Sequence, residues 1–422
     1  MDENQHPVKL SVHPSRGLVD EKFTVLVQNV PPGFQLTVHA LHQCNSSHIW
    51  EAFGHYTADA TGTVNGTASK DPSLGGTYSG VEQMGLLWSL RPVPGSRPGL
   101  RMHKLNVQTP MEVTVSVFRG HQTEGFKDQG PLVSVVVERW YMAPGVCRIP
   151  VTEGGLTATL FLPPGPGPFP GILDLWGSEI QLLEYRAALL ASHGFASLAL
   201  DYMFHKMTSG KMVDYQYIEE AYRVLQQHPQ VHSTRIAVLG FSLGTSVILN
   251  LTAYSEVVKV EQLLHHPPTD KQNYCHTGKC GVDVPLALEE LGKATDKDFS
   301  ESERLFVSEQ VGRIQCPLLL IAGEDDQSWP AHESAMDMKE MMERAGNSHL
   351  LTVLSYPNTG HLIEPPYGPH RATTIDHHRN VALWGGQMVP HCIAQEDAWK
   401  KTLVFLRENL YKRGLIINIK LK

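Results

Sequence analysis

The pattern of apolar and polar positions changes character about a third of the way along the chain. In the first third, FTVLVQNV (23–30), QLTVHALH (35–42), MEVTVSVF (111–118) and PLVSVVVE (131–138) are rich in β-branched residues, and several alternate apolar with polar side chains. A period of two suits strands with one solvated face. Turn-forming residues punctuate them at Pro31-Pro32-Gly33, Asp71-Pro72 and Gly75-Gly76. No helical period stands out before about residue 145, and RPVPGSRPGLR (91–101) reads as an exposed loop. The pattern predicts an all-β, immunoglobulin-like sandwich domain over residues 1–145, ending near Met142-Ala143-Pro144-Gly145.

Beyond that point the runs become continuously apolar. LTATLFLPPG (156–165) reads as a strand and turn, and PFPGILDLWG (168–177) and GFASLALDY (194–202) suit strands covered on both faces. LLEYRAALLASHG (182–194) is helical in character, and Ile218, Ala221, Tyr222 and Leu225 recur at helical spacing within 215–228. IAVLG (236–240), PLLLIAG (317–323) and HLLTVLSY (349–356) are further strands, and AQEDAWKKTLVFLRENL (394–410) is an amphipathic helix. The alternation predicts an α/β domain with a mostly parallel sheet over residues 146–422.

Composition narrows the function classes. The chain of 422 residues is 41% apolar and 18% charged, which is globular. Its 35 Lys and Arg against 43 Asp and Glu give a net charge of −8, and no basic block suggests a nucleic-acid partner. No apolar run reaches the roughly 18 residues of a membrane helix, so no integral membrane segment is expected. The polar, acidic start MDENQHPVKL, the scattered Cys44, Cys147, Cys275, Cys280, Cys316 and Cys392, and the ending Ile419-Lys420-Leu421-Lys422 predict free thiols and a cytoplasmic location. Cys275-x4-Cys280 lacks a second pair, so no metal or cofactor is assigned; His265-His266 and His377-His378 read as loop residues. The sequence sets no oligomeric state.

Gly240-Phe241-Ser242-Leu243-Gly244 has the G-x-S-x-G pattern of a nucleophile elbow, placed between a predicted strand and a helix-compatible segment. In such a turn the serine takes a strained backbone, and bulk two residues either side would collide. The backbone N–H of Leu243 then faces a developing oxyanion, and Trp176 and Gly177, after GILDL, offer a second donor. The alternative for Ser242 is a plain turn residue. An acid and a histidine must follow in chain order. Glu324, Asp325 and Asp326 follow one strand, and His361 follows another in NTGHLIEPPY (358–367).

Long stretches carry a resemblance: SLGGTYSGVEQMGLLWSLRP (73–92), VERWYMAPGVCRI (137–149), LFLPPGPGPFPGILDLWG (160–177), LLEYRAALLASHGFASLAL (182–200), YPNTGHLIEPPY (356–367) and WGGQMVPHCIAQEDAWK (384–400). The chain resembles the family of type I acyl-CoA thioesterases and bile acid-CoA:amino acid N-acyltransferases. The resemblance implies a β-sandwich N-domain before an α/β-hydrolase domain, and a triad of Ser242, Asp326 and His361. The amino-acid-conjugating branch generally carries cysteine at the nucleophile and the thioesterases serine, so Ser242 implies hydrolysis of fatty acyl-CoA by way of an acyl-enzyme. The resemblance also implies a peroxisomal or mitochondrial location as the alternative to the cytoplasm. Transfer of the acyl group to glycine or taurine, and non-catalytic acyl-CoA binding, are the alternatives. The chain departs from the family at Trp176–Gln181, which has fewer glycines, at Leu243-Gly244-Thr245, and in the polar segment 260–280.

Overall fold

The structure, a computed structural model, describes residues 7–44, 47–66, 71–126, 128–177, 181–203, 213–258, 311–375 and 379–411. The segment 260–280 with His265, His266, Cys275 and Cys280, and the pair His377-His378, lie outside them. Contacts divide the chain into two compact units. One comprises Met1–Pro144, Gly323–Asp326 and Tyr356–Lys401; the other comprises Gly145–Ala322, Gln327–Ser355 and Thr402–Lys422.

The first unit is built on a six-stranded sheet in the order Arg16–Leu18, Val133–Trp140, Met111–Arg119, Gln35–Gln43, Ile49–Thr57, Arg91–Pro92. A three-stranded sheet joins Lys9–His13, Thr24–Gln28 and Val64–Asn65. One face of the large sheet carries Leu36, Val38, Ala40, Trp50, Ala52, Tyr56, Val113, Val115 and Val117 into a shared core. The opposite row does not face water. Thr37, His39, Glu51 and His55 are buried there, and Phe126 stacks on His39 at 4.2 Å between ring centroids.

The immunoglobulin-like sandwich expected here is not what forms. Among the described residues no sheet is closed or curled as that fold requires, and the edge pair Arg16–Leu18 with Val133–Trp140 is parallel. Nor is the unit all-β: it includes the helical turn Gly85–Trp88 and the start of the helix Met388–Leu410. The reason lies in the central strands. In Ile49–Thr57 the seven residues from Trp50 to Tyr56 are all buried, so this strand lacks the solvated face that alternation suggested. RPVPGSRPGLR is likewise not wholly exposed, since Leu100 enters the core and Arg101 pairs with Glu364.

In the second unit five strands run in the order Cys147–Val151, Ala158–Leu162, Ala196–Leu200, Phe169–Leu175, Val231–Gly240. The expected mostly parallel sheet is also corrected. The first two pairings in that order are antiparallel and the last two parallel. A short connection such as Thr152–Thr157 permits only an antiparallel partner, because a parallel one needs a long crossover. Leu318–Gly323 and Leu351–Tyr356 form a separate two-stranded sheet. The chain is thus a mixed α/β protein with several sheets.

Helix Tyr215–Gln227 buries Tyr217, Ile218, Ala221, Tyr222 and Leu225, the stripe its period predicts, and the Asp214 side chain caps it by accepting from the Tyr217 N–H. Leu173, Leu175, Leu198, Leu200, Ile236 and Val247 complete this core.

Candidate active site

The strand Val231–Gly240 delivers the chain to Ser242, and Leu243 opens the helix Leu243–Tyr254. Ser242 has φ 53° and ψ −123°, a conformation an L-residue adopts only at a cost of about 1–3 kcal/mol. Its neighbours make the turn feasible. A Cβ on Gly240 would lie 2.6 Å from the carbonyl carbon and oxygen of Gly244, and one on Gly244 would lie 2.5 Å from the carbonyl oxygens of Leu175 and Trp176. No side chain fits at either position. The Gly244 N–H donates to Phe241 O at 2.9 Å, and the Phe241 N–H donates to Leu175 O at 3.1 Å, tying the turn to the adjacent strand. The Ser242 side chain makes no capping hydrogen bond to its helix, so the usual structural reason for a serine at this position does not apply.

Leu243 places its amide at the N-terminus of that helix, where the dipole favours negative charge. Trp176 and Gly177 continue from the strand Phe169–Leu175 and pass beside the elbow: a Cβ on Gly177 would lie 3.1 Å from Ser242 Cβ and 3.6 Å from Oγ. The Trp176 ring stacks on Phe241 at 4.8 Å, and the Arg186 guanidinium sits 4.4 Å from its centroid. Arg186 in turn binds the buried Asp174, with Nε 2.8 Å from Oδ1. Burial raises the Asp174 pKa and Arg186 opposes that rise. The Tyr202 hydroxyl donates to Trp176 O at 2.7 Å.

Asp326 and His361 come together in the first unit. His361 Nδ1 lies 2.8 Å from Asp326 Oδ2, and the two side chains are 7% and 4% exposed. Such a bond fixes the imidazole tautomer and leaves Nε2 for other chemistry. The other two acids are placed differently. Asp325 Oδ2 accepts the Gly386 N–H at 2.8 Å, and Glu324 is exposed.

The segment Trp384–Gln387 joins the acid loop to the histidine loop. His361 N–H donates to Trp384 O at 2.7 Å, Gln387 N–H donates to Asn358 O at 2.8 Å, and Gly385 forms a β-bridge with Asp326. The approach is so close that a Cβ on Gly360 would lie 2.3 Å from the Trp384 and Gly385 carbonyl oxygens. The Trp384 ring stacks on His361 at 5.5 Å. His391, 2% exposed, underlies the loop: its Nδ1 accepts from Gly360 N–H at 3.1 Å and its Nε2 lies 2.8 Å from Leu362 O. No sequence motif marks Trp384, Gly386 or His391 for a role. The consecutive glycines after Trp384 are the signal that could have revealed a close backbone approach.

Among the described residues Cys147, Cys316 and Cys392 are free thiols. Among the described residues no helix is long and apolar enough to cross a membrane.

Comparison with known proteins places these features in a family. Residues 20–153 match the acyl-CoA thioester hydrolase/BAAT N-terminal region, and residues 213–412 match the BAAT/acyl-CoA thioester hydrolase C-terminal region. The peroxisomal succinyl-coenzyme A thioesterase of Mus musculus is 35% identical over 425 residues, covering 95% of this chain and 96% of that protein. The bile acid-CoA:amino acid N-acyltransferase of Homo sapiens is 35% identical over 418 residues, covering 96% and 98%. The mitochondrial acyl-coenzyme A thioesterase 2 of Mus musculus is 35% identical over 425 residues, covering 95% and 89%. With both family regions matched and relatives aligned along nearly their whole length, the chain belongs to the acyl-CoA thioesterase/bile acid-CoA:amino acid N-acyltransferase family.

Proposed function

We propose that the protein is a serine acyl-CoA thioesterase that hydrolyses fatty acyl-CoA to free fatty acid and CoA. The observation that carries this reading is Ser242 held at φ 53° between two glycines that admit no side chain, in a chain of this family. A serine hydroxyl is a weak nucleophile at neutral pH, so it needs a base. In this reading His361 Nε2 takes the Ser242 proton as Oγ attacks the thioester carbonyl. Asp326, at 2.8 Å from Nδ1, orients the ring and stabilises the imidazolium. The amides of Leu243 and Trp176 receive the oxyanion. The imidazolium protonates the departing CoA thiolate; His361 then activates water, which releases the fatty acid. The reading assigns no cofactor.

Ser242→Ala is expected to lower fatty-acyl-CoA hydrolysis by at least about 10³-fold with native folding retained. An unchanged rate would overturn the assignment. Transfer to glycine or taurine is the second reading, favoured by the 35% identity to an N-acyltransferase. Mass spectrometry of products formed from acyl-CoA with taurine separates the two, since an N-acyl product in excess of free acid means transfer. A non-catalytic binder would leave Ser242 unlabelled by a fluorophosphonate. The reading places the protein in the cytoplasm, and cell fractionation tests that location.

A further inference from the structure

The geometry points to His391 as a positioning residue for His361, an inference that rests on the Ser242, Asp326 and His361 reading. A backbone N–H only donates and a backbone carbonyl only accepts. His391 Nδ1 faces the Gly360 N–H at 3.1 Å, so it carries the lone pair. Nε2 faces the Leu362 carbonyl at 2.8 Å, so it carries the proton. The two contacts together define a neutral imidazole in a single tautomer. Burial also lowers the His391 pKa, which favours the same neutral form.

The two peptide groups so held lie on either side of His361. His361 gives its own N–H to Trp384 O at 2.7 Å, so three successive residues are pinned through their backbones. The Leu362 carbonyl also accepts from Gln395 Nε2 at 2.8 Å and from the Glu364 N–H at 2.9 Å, so several donors converge on it. A Cβ on Gly386 would lie 2.6 Å from Gly360 N and 2.9 Å from His391 Nδ1, so the ring and the loop are packed against each other without slack. Rotation of either flanking peptide would swing the His361 side chain away from Asp326. His391 thus sets the direction of the catalytic imidazole without meeting the substrate.

The test compares His391→Leu with His391→Gln in the full chain. The leucine fills the volume and makes neither contact. The glutamine amide offers one acceptor and one donor. Misplacement of a catalytic group by about 1 Å costs roughly 100-fold. His391→Leu is therefore expected to lower kcat for acyl-CoA hydrolysis by roughly that factor, with KM within about threefold. His391→Gln should recover most of the loss. The downfield proton resonance of the His361–Asp326 hydrogen bond should vanish in the first variant and persist in the second. Wild-type kcat in His391→Leu, or equal impairment of the two variants, would overturn the inference. Should His391→Leu fail to fold, His391→Gln decides alone: kcat and resonance both kept uphold it, and either one lost overturns it. If Ser242→Ala retains activity, the functional reading itself has failed; if Ser242→Ala is inactive while both His391 variants behave as wild type, only this inference has failed.

Discussion

The serine turn and the histidine loop reach precision by different means. At Ser242 the constraint is steric and short in range. Gly240 is closed in by Gly244 and Thr245, and Gly244 by the carbonyls of the neighbouring strand. At His361 the constraint is a set of hydrogen bonds between segments far apart in sequence: the acid loop at Asp325 and Asp326, the loop Asn358–Leu362, the segment Trp384–Gln387, and His391. A steric turn either forms or does not. A hydrogen-bonded platform can loosen by degrees. Perturbing the turn should therefore appear mainly as lost stability, and perturbing the platform mainly as lost rate.

Four substitutions probe that contrast. The largest effect is expected for Asp326→Asn, which keeps the shape but removes the charge and the acceptor that fixes the His361 tautomer. We expect kcat to fall about 10⁴-fold, or about 5 kcal/mol, with the melting temperature nearly unchanged. A fall below tenfold in steady-state assays would mean that Asp326 does not orient the base. Next comes Arg186→Leu, which strands the buried Asp174 and removes the cation stacked on Trp176. Removing one partner of a buried pair costs about 3–5 kcal/mol, read from the urea midpoint. Gly244→Ala puts a methyl group 2.5 Å from two backbone carbonyl oxygens. It should destabilise by about 2–3 kcal/mol, as overpacking does, and a wild-type unfolding curve would show that the turn has slack. The smallest effect is expected for Asp325→Ala, which strips the acceptor from Gly386 N–H. Loss of one such bond should cost about 1 kcal/mol of stability, and the loosened loop should lower kcat by roughly fivefold. If stability falls and rate does not, the distinction between turn and platform fails.

The same contrast explains what could be read in the sequence. The turn depends on residues within a few positions of Ser242, and a pentapeptide is enough to suggest it. Strands such as Gln35–Gln43 and Met111–Arg119 and the helix Tyr215–Gln227 carry their period openly. Ile49–Thr57 did not, because IWEAFGHYT places polar residues on a face that is buried by tertiary contacts. The closing helix begins at Met388, six residues before the apolar period suggested, because Pro390 falls in the first turn, where no intrahelical N–H bond is lost. Whether a sheet closes is equally invisible locally, and the sheets that form are open where a sandwich was expected. Asp326 and His361 are recognisable by order and by following strands. The parts that hold them are scattered over about 70 residues, from Gly323 to His391, and no short window reveals that they meet.

One detail of the serine turn reaches beyond this molecule. The left-handed backbone at position 242 is made possible by Gly240 and Gly244, and the hydroxyl caps nothing. If Ser242 carries the acyl group as proposed, an exchange of its oxygen for sulfur asks nothing new of Gly240 and Gly244, so the steric frame of the turn sets no barrier to a change of acyl acceptor.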